Sequence, residues 1–92
     1  MITLEQVKSW LKIDDDDQDD ELEDLITEAT AELALAGVPE FAESEVAYPL
    51  YRKAIKYIIT RDFETRGMDE YDSKILDSMV LKLKAMVKRN AV

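Results

Sequence analysis

The chain has 92 residues, 47% of them hydrophobic, with two glycines, two prolines, no cysteine and no histidine. That length suits one domain, so few turn residues argue against a sandwich or barrel, and the missing cysteine removes disulfides and thiolate chemistry. The net charge of −9 is uneven: residues 1–46 hold 15 acids and two bases (−13), and residues 47–92 hold six acids and 10 bases (+4), which excludes the broad basic footprint of a general nucleic-acid binder.

A first helix is expected over residues 4–12. Thr3 and Gln6 have the spacing of a capping box, and Ile2 stands where a hydrophobic staple reaches Val7. Leu4, Val7 and Leu11 share one stripe, with Trp10 at its edge. A second helix is expected over residues 18–36, with Leu22, Leu25, Ile26, Ala29, Leu33 and Ala36 inside an arc of about 100°. Asp15 or Asp17 is placed to cap its start, while Gly37 and then Pro39 supply its stop.

Residues 38–48 read as a connector, from which Phe41 and Val46 can fold back onto the core. Pro49 suits the first turn of a third helix over residues 49–66, closed by Gly67. Its apolar positions (Leu50, Tyr51, Ala54, Ile55, Tyr57, Ile58, Ile59 and Phe63) cover about two-thirds of its circumference. A helix so widely apolar is either central to a bundle or in contact with a second chain. A fourth helix is expected over residues 72–89, with Ile75, Leu76, Met79, Val80, Leu83, Met86 and Val87 on one stripe. Lys82, Lys84, Lys88 and Arg89 sit toward its C-terminal end, where cations complement the helix dipole. No strand-like alternation or solenoid repeat is present. The fold class is therefore all-α, a small four-helix bundle, expected as a single helical domain over residues 1–92. No basic-then-apolar leader opens the chain and no uncharged run approaches the roughly 20 residues of a membrane span, so a soluble, intracellular protein is expected.

The densest feature is the acidic run from Asp14 to Asp24. As an EF-hand it fails: a loop starting at Asp15 puts Asp20 where glycine belongs and Ile26 where the bidentate glutamate belongs. A start at Asp17 supplies Glu28 but places Leu22 at the glycine position. No metal site or cofactor is implied. Catalysis is equally poorly served, because no histidine or cysteine activates the serines, no glycine-rich loop cradles a phosphate, and crowded exposed acids lack the environments that split their pKa values. Helix capping and the dipole account for about three of these acids. The surplus points to solubility or a basic partner.

The opening segment, ITLEQVKSWLKIDDDDQDDELEDLITEAT, resembles the N-terminal signature of the small head–tail connector (adaptor) proteins of long-tailed bacteriophages and prophages. That family opens with a T-L-E-x-V-K-x-aromatic-L-[KR]-[IV]-D segment, followed by an acidic stretch and an L-x-x-L-I-x-x-A helix. Thr3, Leu4, Glu5, Val7, Lys8, Trp10, Leu11, Lys12, Ile13 and Asp14 match, as do Asp19, Asp20, Leu22, Leu25, Ile26 and Ala29. The segment PLYRKAIKYIITRDFETRG is similar in kind to the family's third helix. Two features depart from the pattern: a short connector between the second and third helices, and a C-terminal segment that reads as uninterrupted helix.

The resemblance implies a non-enzymatic subunit, assembled in the bacterial host cytoplasm and carried in the virion, that forms a ring of about a dozen copies under the portal. The implied partners are other copies of the chain, the portal protein and a downstream head-completion or tail component. DNA would pass through the channel without sequence-specific binding, and carboxylates lining it would repel the phosphates.

A ring needs a heterologous interface, and an acidic front half with a basic rear half provides two unlike surfaces. Leu35 and Leu81 fall outside their stripes and are candidate contacts. Asp62 falls inside the apolar arc of the third helix near Arg61 and Arg66, and is expected to pair with a base of its own chain or a neighbour. The candidate interface comprises Asp15, Asp16, Asp17, Asp19, Asp20, Leu35, Asp62, Leu81, Lys82, Lys84, Lys88 and Arg89. The competing readings are an acidic module that binds or inhibits a basic partner by mimicking DNA, and a helical regulator or chaperone-like module. Mimicry wants acids along a whole face, whereas these cluster in one third of the chain. A DNA-reading helix-turn-helix wants a tight turn before its basic helix, and the fourth helix has none.

Overall fold

A computed structural model describes residues 2–65 and 73–90, with side chains for residues 2–63 and 74–87. It is all-helical, with α1 over Leu4–Leu11, α2 over Asp19–Leu35, α3 over Tyr48–Thr65 and α4 over Ser73–Asn90, and no strand among the described residues. Gly67, Arg66 and Asp72, to which the sequence gives roles at the ends of α3 and α4, lie outside the described residues.

α1 starts where its cap dictates. The Thr3 hydroxyl accepts from the Gln6 amide at 3.2 Å, and the Gln6 side chain accepts from the Thr3 amide at 2.9 Å. Ile2 and Val7, the two ends of the expected staple, are both buried. The helix ends in a Schellman arrangement, with the Ile13 amide donating to the Lys8 carbonyl at 2.9 Å and Lys12 held at φ 58°. A lysine in that left-handed conformation costs about 1 kcal/mol or more relative to glycine.

α2 closes the same way with the residue suited to it. Gly37 at φ 94° lets the Val38 amide reach the Leu33 carbonyl at 2.8 Å and its own amide reach Ala34 at 3.0 Å. Leu33 and Val38, which flank this turn, are both buried. Within α2, Thr27 and Thr30 donate their hydroxyls to the carbonyls of Glu23 and Ile26 one turn back, acceptors that they share with the helix ladder. Its start differs from the expectation that Asp15 or Asp17 caps it. The residue at the cap is Gln18, with no side-chain cap bond, because Asp15 instead accepts from the Asp17 amide one turn earlier. Three acids in the first turn, Asp19, Asp20 and Glu21, supply the favourable charge at that helix end.

α3 is the central helix, in contact with each of the other three. Tyr51, Ala54, Ile55, Ile58 and Ile59 are all essentially inaccessible, which explains its wide apolar arc without a second chain. Each such aliphatic burial contributes about 1.5–3 kcal/mol. Leu22, Ala29 and Leu33 of α2 and Leu76, Met79 and Leu83 of α4 complete the core. Phe41 folds back from the connector and meets Tyr51 edge-on, with ring centroids 5.8 Å apart. Burial pushes the Tyr51 phenol above its usual range, Glu40 adds to this, and a hydrogen bond with Thr30 opposes it.

Two expectations for the core fail. Val46 does not fold back but stands 87% exposed, since the backbone turns at residues 45–48 into α3 and Ala47 and Tyr48 take the buried positions instead. Ile75 is 52% exposed, because it lies at the margin of a stripe whose centre is filled by Leu76, Met79 and Leu83.

Candidate functional site

Charged groups of opposite sign gather on two flanks of α1. Lys8 and Trp10 are two residues apart, about 200° around the helix, and so project from nearly opposite flanks. On the first flank the Lys8 ammonium sits 2.7 Å from Asp16 Oδ1 and 2.9 Å from Asp19 Oδ1, with only 16% of its side chain exposed. Hydrogen bonds to Asp16 and then Asp19 hold the Lys8 ammonium well above its ordinary range, and the same contact holds the Asp16 carboxyl below the usual carboxylate range. This clasp folds the acidic run back over α1 and fixes the start of α2. Asp15, Asp17 and Asp20 remain exposed around it.

On the second flank, Trp10 and α3 form a shallow groove of about 490 Å³, lined by Pro49, Arg52, Lys53 and Lys56 as well as the indole. The Lys56 ammonium stands 6.0 Å from the centre of the indole ring, at the outer limit of a cation–π contact. Arg52, Lys53 and Lys56 are exposed. They make no ion pair among the described residues.

Elsewhere the charges are used internally. Arg61 spans α2 and α3, donating to both carboxylate oxygens of Glu32 at 2.9 and 3.3 Å, and its Nε donates to Asp62 at 2.9 Å. Asp62 thus pairs with a base of its own chain. Glu32 first and Asp62 second raise the Arg61 guanidinium further above its ordinary range. Lys84 lies over the end of α2, where a Cβ on Gly37 would meet its Cε at 3.2 Å. α2 has no base of its own in its last turn, so Lys84 brings the cation that this helix end favours. Lys82 borders an apolar trough with Val46, Leu50 and Met86. Leu35 is 89% exposed and Leu81 69%. Lys88 and Arg89 are in the last turn of α4, where side chains lie outside the described residues.

The structure therefore gathers the acids Asp15 to Asp20 at one flank of α1, ties Asp16 and Asp19 to Lys8, and leaves Leu35, Leu81 and Lys82 on the surface. It also brings together a set that the sequence reading passed over: Trp10, Arg52, Lys53 and Lys56. The signal was present in the i, i+1, i+4 spacing of those three bases on the narrow polar third of α3. What the chain alone does not give is the pairing of α1 with α3 that sets the indole beside them.

Among the described residues no group of three or more carboxylates is disposed to hold a metal ion, and no helix is long and apolar enough to cross a membrane. No curated protein and no solved structure matches the chain. One family does match it, that of the phage gp6-like head-tail connector protein, over residues 1–88. With nearly the whole helical bundle inside that match, the chain belongs to the phage gp6-like head–tail connector family, whose members are structural, non-catalytic components of the virion.

Proposed function

We propose that copies of this chain assemble side by side into a ring beneath the portal protein, extend the DNA channel and offer a platform to the next head-completion or tail component. The observation that carries the reading is the segregation of charge on opposite flanks of α1, an acidic run on one and, on the other, a basic groove whose cations make no ion pair among the described residues. A cyclic assembly repeats one heterologous contact, which needs two different complementary surfaces on each copy. The exposed Asp15, Asp17, Asp20, Leu35, Leu81 and Lys82 are left over once the bundle has satisfied itself, and serve as contacts to neighbours or to the portal. Lys88 and Arg89 extend the same basic end of α4. Asp16, Asp19, Asp62 and Lys84 act mainly within the subunit, holding the elements that present those contacts.

The test is native mass spectrometry and sedimentation velocity over a range of protein and salt concentrations, with and without purified cognate portal. Cyclic species, formed alone or templated on the portal and weakened by salt, are the expected result. A chain that stays monomeric and does not bind the portal at any concentration would refute the proposal.

A further inference from the structure

We infer that the groove between Trp10 and the Arg52–Lys56 face of α3 receives the acidic run, residues 14–21, of a neighbouring copy. The inference rests on the ring reading above and names the surface by which one copy holds the next. A volume of about 490 Å³ is room for several side chains, and its walls offer three exposed cations around one indole. None of the three is neutralised by an ion pair among the described residues. The opposite flank of α1 presents the complement: Lys8 pairs with both Asp16 and Asp19 and so offsets only one of their two charges, while Asp14, Asp15, Asp17 and Asp20 stay exposed.

Because socket and plug sit on opposite sides of the same short helix, a copy cannot fill its own groove with its own run. A neighbour related by rotation about an axis beside α1 can, and the contact then repeats from copy to copy. A two-fold pair would face socket to socket or plug to plug. A DNA duplex fits less well, since its phosphates recur about every 1.7 Å along the axis and would run past three cations onto the acidic front of the chain. The acidic run then lies at the subunit boundary rather than on the channel wall.

The experiment uses the full chain in three forms: wild type, a groove-reversed Lys53→Glu/Lys56→Glu variant, and a run-reversed Asp15→Lys/Asp17→Lys/Asp20→Lys variant. All five positions are exposed, and circular dichroism checks that each variant keeps its helices. Assembly is followed by sedimentation, alone and on portal rings. Trp10, the only tryptophan, reports on the groove through quenching by iodide. The wild type should assemble and protect Trp10 from iodide on doing so. Each variant alone should associate at least about 100-fold more weakly, since like charges then face each other. An equimolar mixture of the two should recover assembly, because each reversed groove now meets a reversed run. Variants that assemble as well as the wild type, a mixture that recovers nothing, or a Trp10 equally quenched in ring and monomer would overturn the inference and leave the ring reading standing. Protection of Trp10 by duplex DNA instead of by assembly would assign the groove to phosphate and overturn it too. A wild type that forms no assembly even on the portal would refute the ring reading itself, and this inference with it.

Discussion

Replacing Leu83 by alanine and, separately, Leu81 by alanine asks whether α4 presents the face on which both core and contacts depend. Leu83 is wholly buried and Leu81 is 69% exposed, two residues away on the same helix. Truncating Leu83 removes three carbons from the core, about 2.4 kcal/mol of transfer free energy, and the residual cavity brings the loss to about 3–4 kcal/mol. Whole-domain stability at this size is on the order of 5–14 kcal/mol, so the variant should remain folded but weakened. At a urea m-value of about 1.5 kcal/mol/M, its midpoint should fall by about 2–2.7 M. For Leu81 only about a third of the transfer free energy is at stake, about 0.7 kcal/mol, and the midpoint should move by less than about 0.5 M. The assay is urea unfolding by circular dichroism at low micromolar protein. Equal losses at the two positions would refute this orientation of α4. A Leu81 loss that grows with protein concentration would mark it as a contact between copies, since association stabilises the folded form by mass action.

Three further outcomes are expected. Gly37→Ala should cost about 1 kcal/mol, because alanine at φ 94° is strained; Lys84 can yield, so in urea titrations the loss should persist in a Lys84→Ala background. Glu32→Gln should cost about 0.5–1 kcal/mol by removing one carboxylate from the half-exposed Arg61 pair, with the loss shrinking in high salt. For the α1–α2 clasp, Asp16 lies below its usual 3.8, so its contribution is present above that pH and is lost as pH falls through the lowered value; Lys8 lies above its usual 10.5, so its contribution is present below that pH and is lost as pH rises through the raised value. The stability difference between wild type and Lys8→Met should therefore be constant from about pH 5 to about pH 9 and shrink below pH 3.8.

Helix identity was legible in the sequence because period and end signals agreed: Thr3 with Gln6 at one start, and Gly37 after the stripe of α2 at one stop. The wide apolar arc of α3 correctly offered a central place as one of its two explanations. The expectations failed where a single residue's fate depends on a neighbouring element. Val46 and Ile75 are apolar enough to be buried, yet the turn into α3 leaves the first outside and a place at the margin of the α4 stripe leaves the second there. Asp15 and Asp17 have the chemistry of helix caps, but Lys8, eight residues before Asp16, sets where the acidic run lies. The basic groove was hidden for the same reason: one wall comes from α1 and the other from α3, and only packing joins them. The uneven charge of the two halves was visible at once, but that it is divided across the flanks of one eight-residue helix is a property of the fold.

The most direct measurement is a cryo-electron microscopy map of this chain assembled on its portal, at a resolution that places the indole of Trp10. Such a map should show, at every subunit boundary, the indole and the bases at 52, 53 and 56 of one copy covered by residues 14–21 of the next. A ring in which that groove opens to the channel or to solvent, with the acidic run touching no neighbour, would contradict the account.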